Sequence, residues 1–170
     1  EYIVDFILDG VLSWNDNEWD LKILDPACGS GIFLVKAFQR LIYRWEKANE
    51  KRITANILRQ LLEKNIFGVD IDAEAVRVAS FSLYLTMLDS IEPIDYWENN
   101  FRFPRLQNKK LIAADFFQED IEGFRTKEDA QSYDLVIGNA PWGQNTVTQF
   151  SKAWENLPEN KNKWQTSNKN

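Results

Sequence analysis

The fold follows from the stretch Leu21-Lys-Ile-Leu-Asp-Pro-Ala-Cys-Gly-Ser-Gly31. A short apolar run is stopped by Asp25-Pro26 and a glycine-rich turn follows, so the stretch predicts a strand that ends in a loop. From Ile32 onwards apolar residues recur at helical spacing. Basic and polar residues, Arg40 and Arg44 among them, are expected on the opposite face of this helix. The stretch therefore predicts a strand, a tight turn and a helix in succession.

Three further apolar runs, over residues 66–71, 111–114 and 133–138, are also predicted to be strands. Helical patterns over 32–47, 54–64 and 73–89 alternate with them, and Asp72 is expected to cap the last of these helices. This alternation predicts an α/β domain with about four parallel strands and flanking helices. Because parallel strands end at one edge of a sheet, the polar residues that follow them are expected to form one rim. Those residues are Asp25, Asp70, Asp115 and Asn139.

The composition narrows the classes of function. The chain has 170 residues, 44% of them apolar and 27% charged, which is typical of one globular domain. It holds one cysteine, Cys28, and no histidine, which excludes histidine triads, histidine-ligated zinc and multi-cysteine sites, so no metal is expected. The net charge of −6 makes the chain alone a poor binder of polyanions. No apolar run approaches a membrane span and no secretory signal is visible, so a cytoplasmic location without membrane contact is expected.

The organisation of the chain suggests one domain and a tail. The sequence begins at Glu1 and not at Met, so we expect a piece of a longer protein. The predicted elements all lie within residues 1–150, which are expected to form one domain. Residues 151–170 are expected to be a polar, mobile tail.

Each strand end suits a particular chemistry. The glycines after Asp25 let a ligand approach the backbone and the start of the next helix, whose free N–H groups favour an anion. Asp70 suits a ribose diol, although it lies 39 residues past Gly31, and a dinucleotide fingerprint places its acid about 20 residues on. Asp115 suits an amino group of adenine, with an aromatic ring beside it. Taken singly, each of these ends is also compatible with an ordinary turn, helix cap or core contact.

The last strand end offers two acceptors and a flat ring. Ala140 precedes a proline, so its backbone is held extended and its carbonyl has a restricted direction. The side-chain oxygen of Asn139 is a second acceptor, and two acceptors can take both hydrogens of a planar amino group. Trp142 offers a face on which a base or an amide can stack. A turn that follows a strand and carries a surface tryptophan is the alternative.

Four motifs follow one another in the chain: Asp25-Pro-Ala-Cys-Gly-Ser-Gly-Ile-Phe-Leu34, Gly68-Val-Asp-Ile-Asp72, Ala114-Asp-Phe116 and Ile137-Gly-Asn-Ala-Pro-Trp142. In this order they resemble the motifs of S-adenosylmethionine-dependent N6-adenine DNA methyltransferases of the gamma type. The chain is similar in this respect to the modification part of type IIG and type I restriction–modification enzymes. The resemblance implies a partial Rossmann-like class I methyltransferase fold, with residues 1–150 as the N-terminal part of the catalytic domain.

The resemblance also implies site residues. Those that would bind the cofactor are Asp25, Ala27, Gly29, Gly31, Asp70, Ile71, Asp115 and Phe116. Those that would form the catalytic segment are Asn139, Ala140, Pro141 and Trp142. Asp70 would bind the ribose hydroxyls of the cofactor, Asp115 its adenine amino group, and Asn139 the target amino group.

The fourth motif departs from the family at one position, and the resemblance also implies partners. The family usually has proline where this chain has Ala140, but the contact there is made by the backbone carbonyl, so activity remains the expectation. The implied partners are double-stranded DNA, bound through a recognition domain outside this chain, and a restriction subunit or domain. A methyltransferase for protein glutamine or RNA is one alternative. A non-catalytic cofactor-binding fragment and a nicotinamide-dependent oxidoreductase are the others.

Overall fold

The computed structural model describes residues 2–93, 102–119, 126, 129, 131–140 and 147–161. The helices are α1 (Tyr2–Val11), α2 (Ile32–Asn49), α3 (Ala55–Asn65), α4 (Ala73–Asp89) and α5 (Gln149–Glu155). The strands are β1 (Ile23–Asp25), β2 (Ile66–Asp70), β3 (Leu111–Ala113) and β4 (Leu135–Val136). Within these residues no helix is long and apolar enough to cross a membrane.

The four strands form one parallel sheet in the order β3-β2-β1-β4. Strand β1 lies at the centre, where Ile23 is in register with Ile66 on one side and with Leu135 on the other. The predicted α/β class and its parallel strands are confirmed. Strand β1 pairs on one side with β2, the next strand in the chain, and on the other side with β4, the last of the described strands. The direction in which strands are added to the sheet therefore reverses beside β1. Such a reversal leaves a crevice at the carboxyl ends of the strands, where α/β proteins bind ligands.

The main core lies between one face of the sheet and the helices. Alternate strand residues such as Ile23, Ile66 and Leu111 point to this face and pack with α1, α2, α3 and α4. The other face carries a smaller cluster around the buried Leu24 and Val69. Packing of the helices against the sheet therefore holds the strands in place, and the candidate site residues lie at the strand ends and in the loops that follow them.

Two arginines of α2 are buried, contrary to the expectation for the second face of that helix. The guanidinium of Arg40 donates to the carbonyl oxygen of Leu12 at 3.0 Å and pairs with Asp9 at 2.8 Å. Arg44 donates to the carbonyl oxygens of Ser13 at 2.9 Å and of Glu18 at 2.7 Å. A buried cation is tolerated only with such partners, so the arginines fasten α1 and the segment after it to α2.

The observed boundaries differ from the predicted ones near the end of the chain. Strand β4 contains two residues, whereas a strand over 133–138 was expected from its apolar run. Helix α5 runs across the predicted boundary at residue 150. Its first turn is closed by a capping box between Thr148 and Ser151. The division into a domain and a tail stays a prediction.

Candidate active site

The loop after β1 has a backbone that depends on glycine. Gly29 and Gly31 have φ angles of 50° and 85°, in the left-handed region that side chains disfavour. A Cβ atom on Gly31 would also lie 2.9 Å from the Cβ of Ala79 in α4, which is too close. The loop therefore turns tightly against α4 and delivers the chain directly into α2.

Asp25 ends β1 as a buried acid. Its side chain is 1% exposed, and its Oδ1 accepts a hydrogen bond from the backbone N–H of Ala27 at 3.1 Å. Burial raises the pKa of Asp25 to about 7, and the nearby Asp70 raises it further, whereas the Ala27 N–H lowers it in part. A cation or a hydrogen-bond donor beside Asp25 would stabilise the ionised form of this buried carboxyl.

Cys28 in the same loop is chemically quiet. Burial raises the pKa of its thiol to about 12, and the carboxylates of Asp25 and Asp70 act in the same direction. Since the thiolate is the reactive form, this thiol is not a nucleophile at neutral pH.

Asp70 joins the second strand end to the first. Its Oδ2 accepts from the backbone N–H of Gly29 at 2.7 Å, and its Oδ1 accepts from that of Asp72 at 2.9 Å. Each carboxylate oxygen keeps a further lone pair for a ligand. The next residue, Ile71, is 69% exposed and stands beside this carboxylate in the chain. Asp72 caps α4 by accepting from the N–H of Glu74, which confirms the predicted cap.

Asp115 lies next to Asp70 along the rim. The backbone N–H of Ala114 donates to the carbonyl oxygen of Asp70 at 2.9 Å, which places the following residue beside β2. Asp115 Oδ1 accepts from the N–H of Phe117 at 2.8 Å, whereas its buried Oδ2 has no hydrogen-bond partner among the described residues. A buried acceptor without a donor is costly, so this oxygen is suited to receive one from a ligand. Phe116 packs against the smaller apolar cluster of the sheet.

The fourth strand end meets the first. The N–H of Ile137 donates to the carbonyl oxygen of Leu24 at 2.9 Å, which extends the pairing of β4 with β1. A Cβ atom on Gly138 would lie 2.5 Å from Oδ1 of Asp25, so the backbone of Gly138 sits directly against that carboxyl. Asn139 and Ala140 follow at once and are exposed. Pro141 and Trp142 lie outside the described residues.

The structure thus brings the predicted strand ends together through contacts between neighbours. Asp25 touches Gly138, Asp70 binds the loop after Asp25, and the end of β3 is hydrogen-bonded to the end of β2. Sequence reasoning missed the close approach of Gly138, for which the only signal was a glycine inside the fourth motif. Among the described residues no cluster of acidic or cysteine side chains could hold a metal ion. The rim offers carboxylate acceptors and backbone N–H groups, which suit an organic ligand with amino and hydroxyl groups.

Comparison with known proteins places the chain in a family. Residues 64–170, more than half of the chain, match the family described as Eco57I restriction-modification methylase. The type II methyltransferase M.BstVI of Geobacillus stearothermophilus is 30% identical over 152 residues, which cover 86% of this chain and 24% of M.BstVI. The type II restriction enzyme and methyltransferase RM.Eco57I of Escherichia coli is 24% identical over 167 residues, covering 82% of this chain and 17% of that enzyme. The adenine-specific methyltransferase BrxX of Escherichia coli O9:H4 (strain HS) is 40% identical over 65 residues, covering 38% of this chain and 5% of BrxX.

A solved structure shares the fold. It is a nuclease-deletion mutant of the type ISP restriction-modification enzyme LlaGI in complex with a DNA substrate mimic. It matches with a TM-score of 0.50 and 19% identity over 82% of this chain and 12% of that chain. The chain therefore spans about a quarter or less of each of these proteins. The family match confirms the resemblance that the four motifs indicated: the chain belongs to the Eco57I restriction-modification methylase family.

Proposed function

We propose that this chain belongs to an enzyme that transfers a methyl group from S-adenosylmethionine to the exocyclic N6 of adenine in DNA, as part of a restriction–modification system. The observation that carries the proposal is the contact of Gly138 with Asp25, because it sets Asn139 directly beside the rim that suits a cofactor. Family membership and the names of the relatives support the same conclusion.

The residues of the rim fit S-adenosylmethionine. The buried Oδ2 of Asp115, which has no partner in the part of the chain that the structure describes, matches the amino group of the cofactor's adenine. The remaining lone pairs of Asp70 match the ribose hydroxyls of the cofactor. Ile71 and Phe116 supply apolar surface for the adenine ring. Gly31 is the N-cap residue of α2 and has no side chain to cap the helix, so the N-terminus of α2 favours a carboxylate.

Asp25 and the loop after it would take the methionine part of the cofactor. The cofactor, when bound, supplies a methyl group activated by a positively charged sulfur. Asp25 Oδ1 already accepts from the N–H of Ala27, and the buried carboxyl gains from a nearby positive charge. The chain's own contribution is therefore to orient the donor with fixed backbone dipoles and one buried acid.

Asn139 and Ala140 would act on the target base. The lone pair of an exocyclic amino group is delocalised into the ring, and acceptance of both its hydrogens favours a pyramidal, more nucleophilic nitrogen. The side-chain oxygen of Asn139 and the carbonyl oxygen of Ala140 are the two acceptors, and Pro141 restricts the backbone between them and Trp142. Trp142 would stack on the base, which has to leave the duplex at a cost of a few kcal/mol. No histidine base is needed for this arrangement.

The partners follow from charge and length. The chain has a net charge of −6, so the positive surface that contacts the phosphates of DNA has to come from other parts of the protein. The relatives extend far beyond the matched region, which leaves room for DNA recognition and a nuclease component. We therefore propose double-stranded DNA as the substrate and a restriction domain or subunit as a partner.

The experiment measures methyl transfer and cofactor binding separately in the full-length protein. Asn139→Ala is expected to lower methylation of DNA by at least about 10²-fold, in line with the loss of one well-placed polar group, while the cofactor Kd stays within about twofold. Asp70→Ala is the matched variant and is expected to weaken cofactor binding instead. Equal losses of both quantities in Asn139→Ala would show that the segment is structural. Transfer to RNA or to a protein glutamine, assayed in parallel, in the absence of transfer to DNA would overturn the choice of substrate.

A further inference from the structure

Helix α5 reaches back to the rim through one aromatic contact. The ring of Trp154 lies on that of Phe117, with centroids 5.5 Å apart and planes inclined by 52°. Phe117 in turn packs edge-on against Phe116 at 5.6 Å. The backbone N–H of Phe117 is the donor that holds Asp115 Oδ1 at 2.8 Å. One side chain of α5 therefore supports the turn that positions Asp115.

Helix α5, which carries Trp154, is held at both of its ends. The capping box of Thr148 and Ser151 closes the first turn of α5. The side-chain amide of the buried Asn160 donates to the carbonyl oxygen of Trp154 at 3.1 Å. A short helix fixed in this way presents its tryptophan in a defined position and not as a loose surface group.

Helix α5, whose Trp154 contacts Phe117, lies shortly after the proposed catalytic segment in the chain. Residues 143–148 separate Trp142 from the start of α5, so the helix follows the proposed catalytic segment closely in the sequence. Strand β4, which precedes Asn139, pairs with β1, and α5 contacts the Asp115 turn through Trp154. A ligand that binds Asp115 would thus act on the turn against which Trp154 of α5 packs.

We propose that Trp154 is a positioning residue that supports the cofactor's adenine site at Asp115 and couples occupation of that site to the order of α5. The proposal rests on the proposed function and deepens it. Cofactor binding steadies the turn with Phe117, and the turn steadies α5 through Trp154. Trp154 touches neither reactant in this scheme.

The test uses the full-length protein with S-adenosylmethionine as the only added ligand. Hydrogen exchange of the amides of α5 is measured with and without the cofactor, and the cofactor Kd is measured by calorimetry. In the wild type the cofactor is expected to slow exchange in α5. In Trp154→Ala that protection is expected to vanish and the Kd to rise by about 2- to 10-fold, the range that corresponds to loss of one aromatic pair. Trp154→Phe is expected to retain both properties.

Trp14→Ala is the matched control, because Trp14 packs on Tyr43 and Arg40 outside the rim. It removes an aromatic contact of the same kind and is expected to leave the cofactor's effect on α5 unchanged. A wild type that binds the cofactor without any protection of α5, or a Trp154→Ala variant that keeps that protection, would overturn this inference alone. A wild type that binds no cofactor would overturn the proposed function.

Discussion

The buried carboxyl of Asp25 makes the stability of the chain depend on pH. Burial raises its pKa to about 7 in the folded protein, whereas the ordinary value is 3.8. A group whose folded pKa is raised stabilises the fold fully below its unfolded pKa and loses that contribution as the pH rises through the folded value. At about 1.4 kcal/mol for each pH unit, the folded wild type would lose at most about 4 kcal/mol between pH 4 and pH 8.

Asp25→Asn removes this titration and keeps the shape. The amide oxygen can still accept from the N–H of Ala27, which Asp25 does at 3.1 Å. The gain of the variant in free energy of unfolding is therefore expected to be about 2 to 3 kcal/mol larger at pH 8 than at pH 5. The difference between the two pH values is the test, because any misfit of the amide is the same at both.

Urea unfolding of wild type and variant at pH 5 and pH 8, without cofactor, measures that difference. Asp89→Asn, at the exposed end of α4, is the control and is expected to change the free energy of unfolding by less than about 0.5 kcal/mol at either pH. A variant whose advantage is the same at both pH values would show that Asp25 is ionised in the folded chain at pH 5. The reasoning about its burial would then be wrong.

Three further substitutions test contacts described above, two at the rim and one between α1 and α2. Gly31→Ala places a Cβ atom 2.9 Å from the Cβ of Ala79, at a residue whose φ angle is 85°. Urea titrations are expected to show a loss of about 2 to 4 kcal/mol in the free energy of unfolding. A loss below about 0.5 kcal/mol would contradict the crowding. Gly138→Ala places a Cβ at 2.5 Å from Oδ1 of Asp25, and the full-length protein is expected to lose about 10²-fold in methylation rate, because a small misplacement is enough; an unchanged rate would argue against the contact. Arg40→Met leaves the carbonyl oxygen of Leu12 without its 3.0 Å donor, and it is expected to lower the free energy of unfolding by about 1 to 3 kcal/mol and to speed hydrogen exchange in α1. Unchanged exchange in α1 would show that the arginine does not hold the helix.

The local patterns of the sequence were sufficient to predict the central part of the fold. Four apolar runs, each followed by a polar residue, predicted four parallel strands, and the sheet has them. The cap at Asp72 was also predictable, because an acid before a helical run satisfies the first free N–H groups. These features depend on neighbours in the chain, which is why a single sequence reveals them.

Contacts between distant residues were not predictable in this way. The pattern of α2 put Arg40 and Arg44 towards solvent, since hydrophobic spacing does not tell whether a second helix covers the polar face. Likewise the approach of Gly138 to Asp25 and the support of Phe117 by Trp154 join residues far apart in sequence. The identity of the rim was therefore predictable, but its internal connections were not.

The pairing of β4 with β1 has a consequence for how activity is lost. Strand β4 has two residues. The carboxylate of Asp134, just before β4, accepts a hydrogen bond from the backbone N–H of Lys22, which lies 112 positions earlier in the sequence. Short pairings between distant segments form late during folding and open first under mild stress. As the urea concentration or the temperature increases, we expect β4 to separate from β1 while β1, β2 and β3 remain paired. Under the proposed function, binding of S-adenosylmethionine would then persist after methyl transfer is lost, so cofactor binding by a sample would not show that the sample is active.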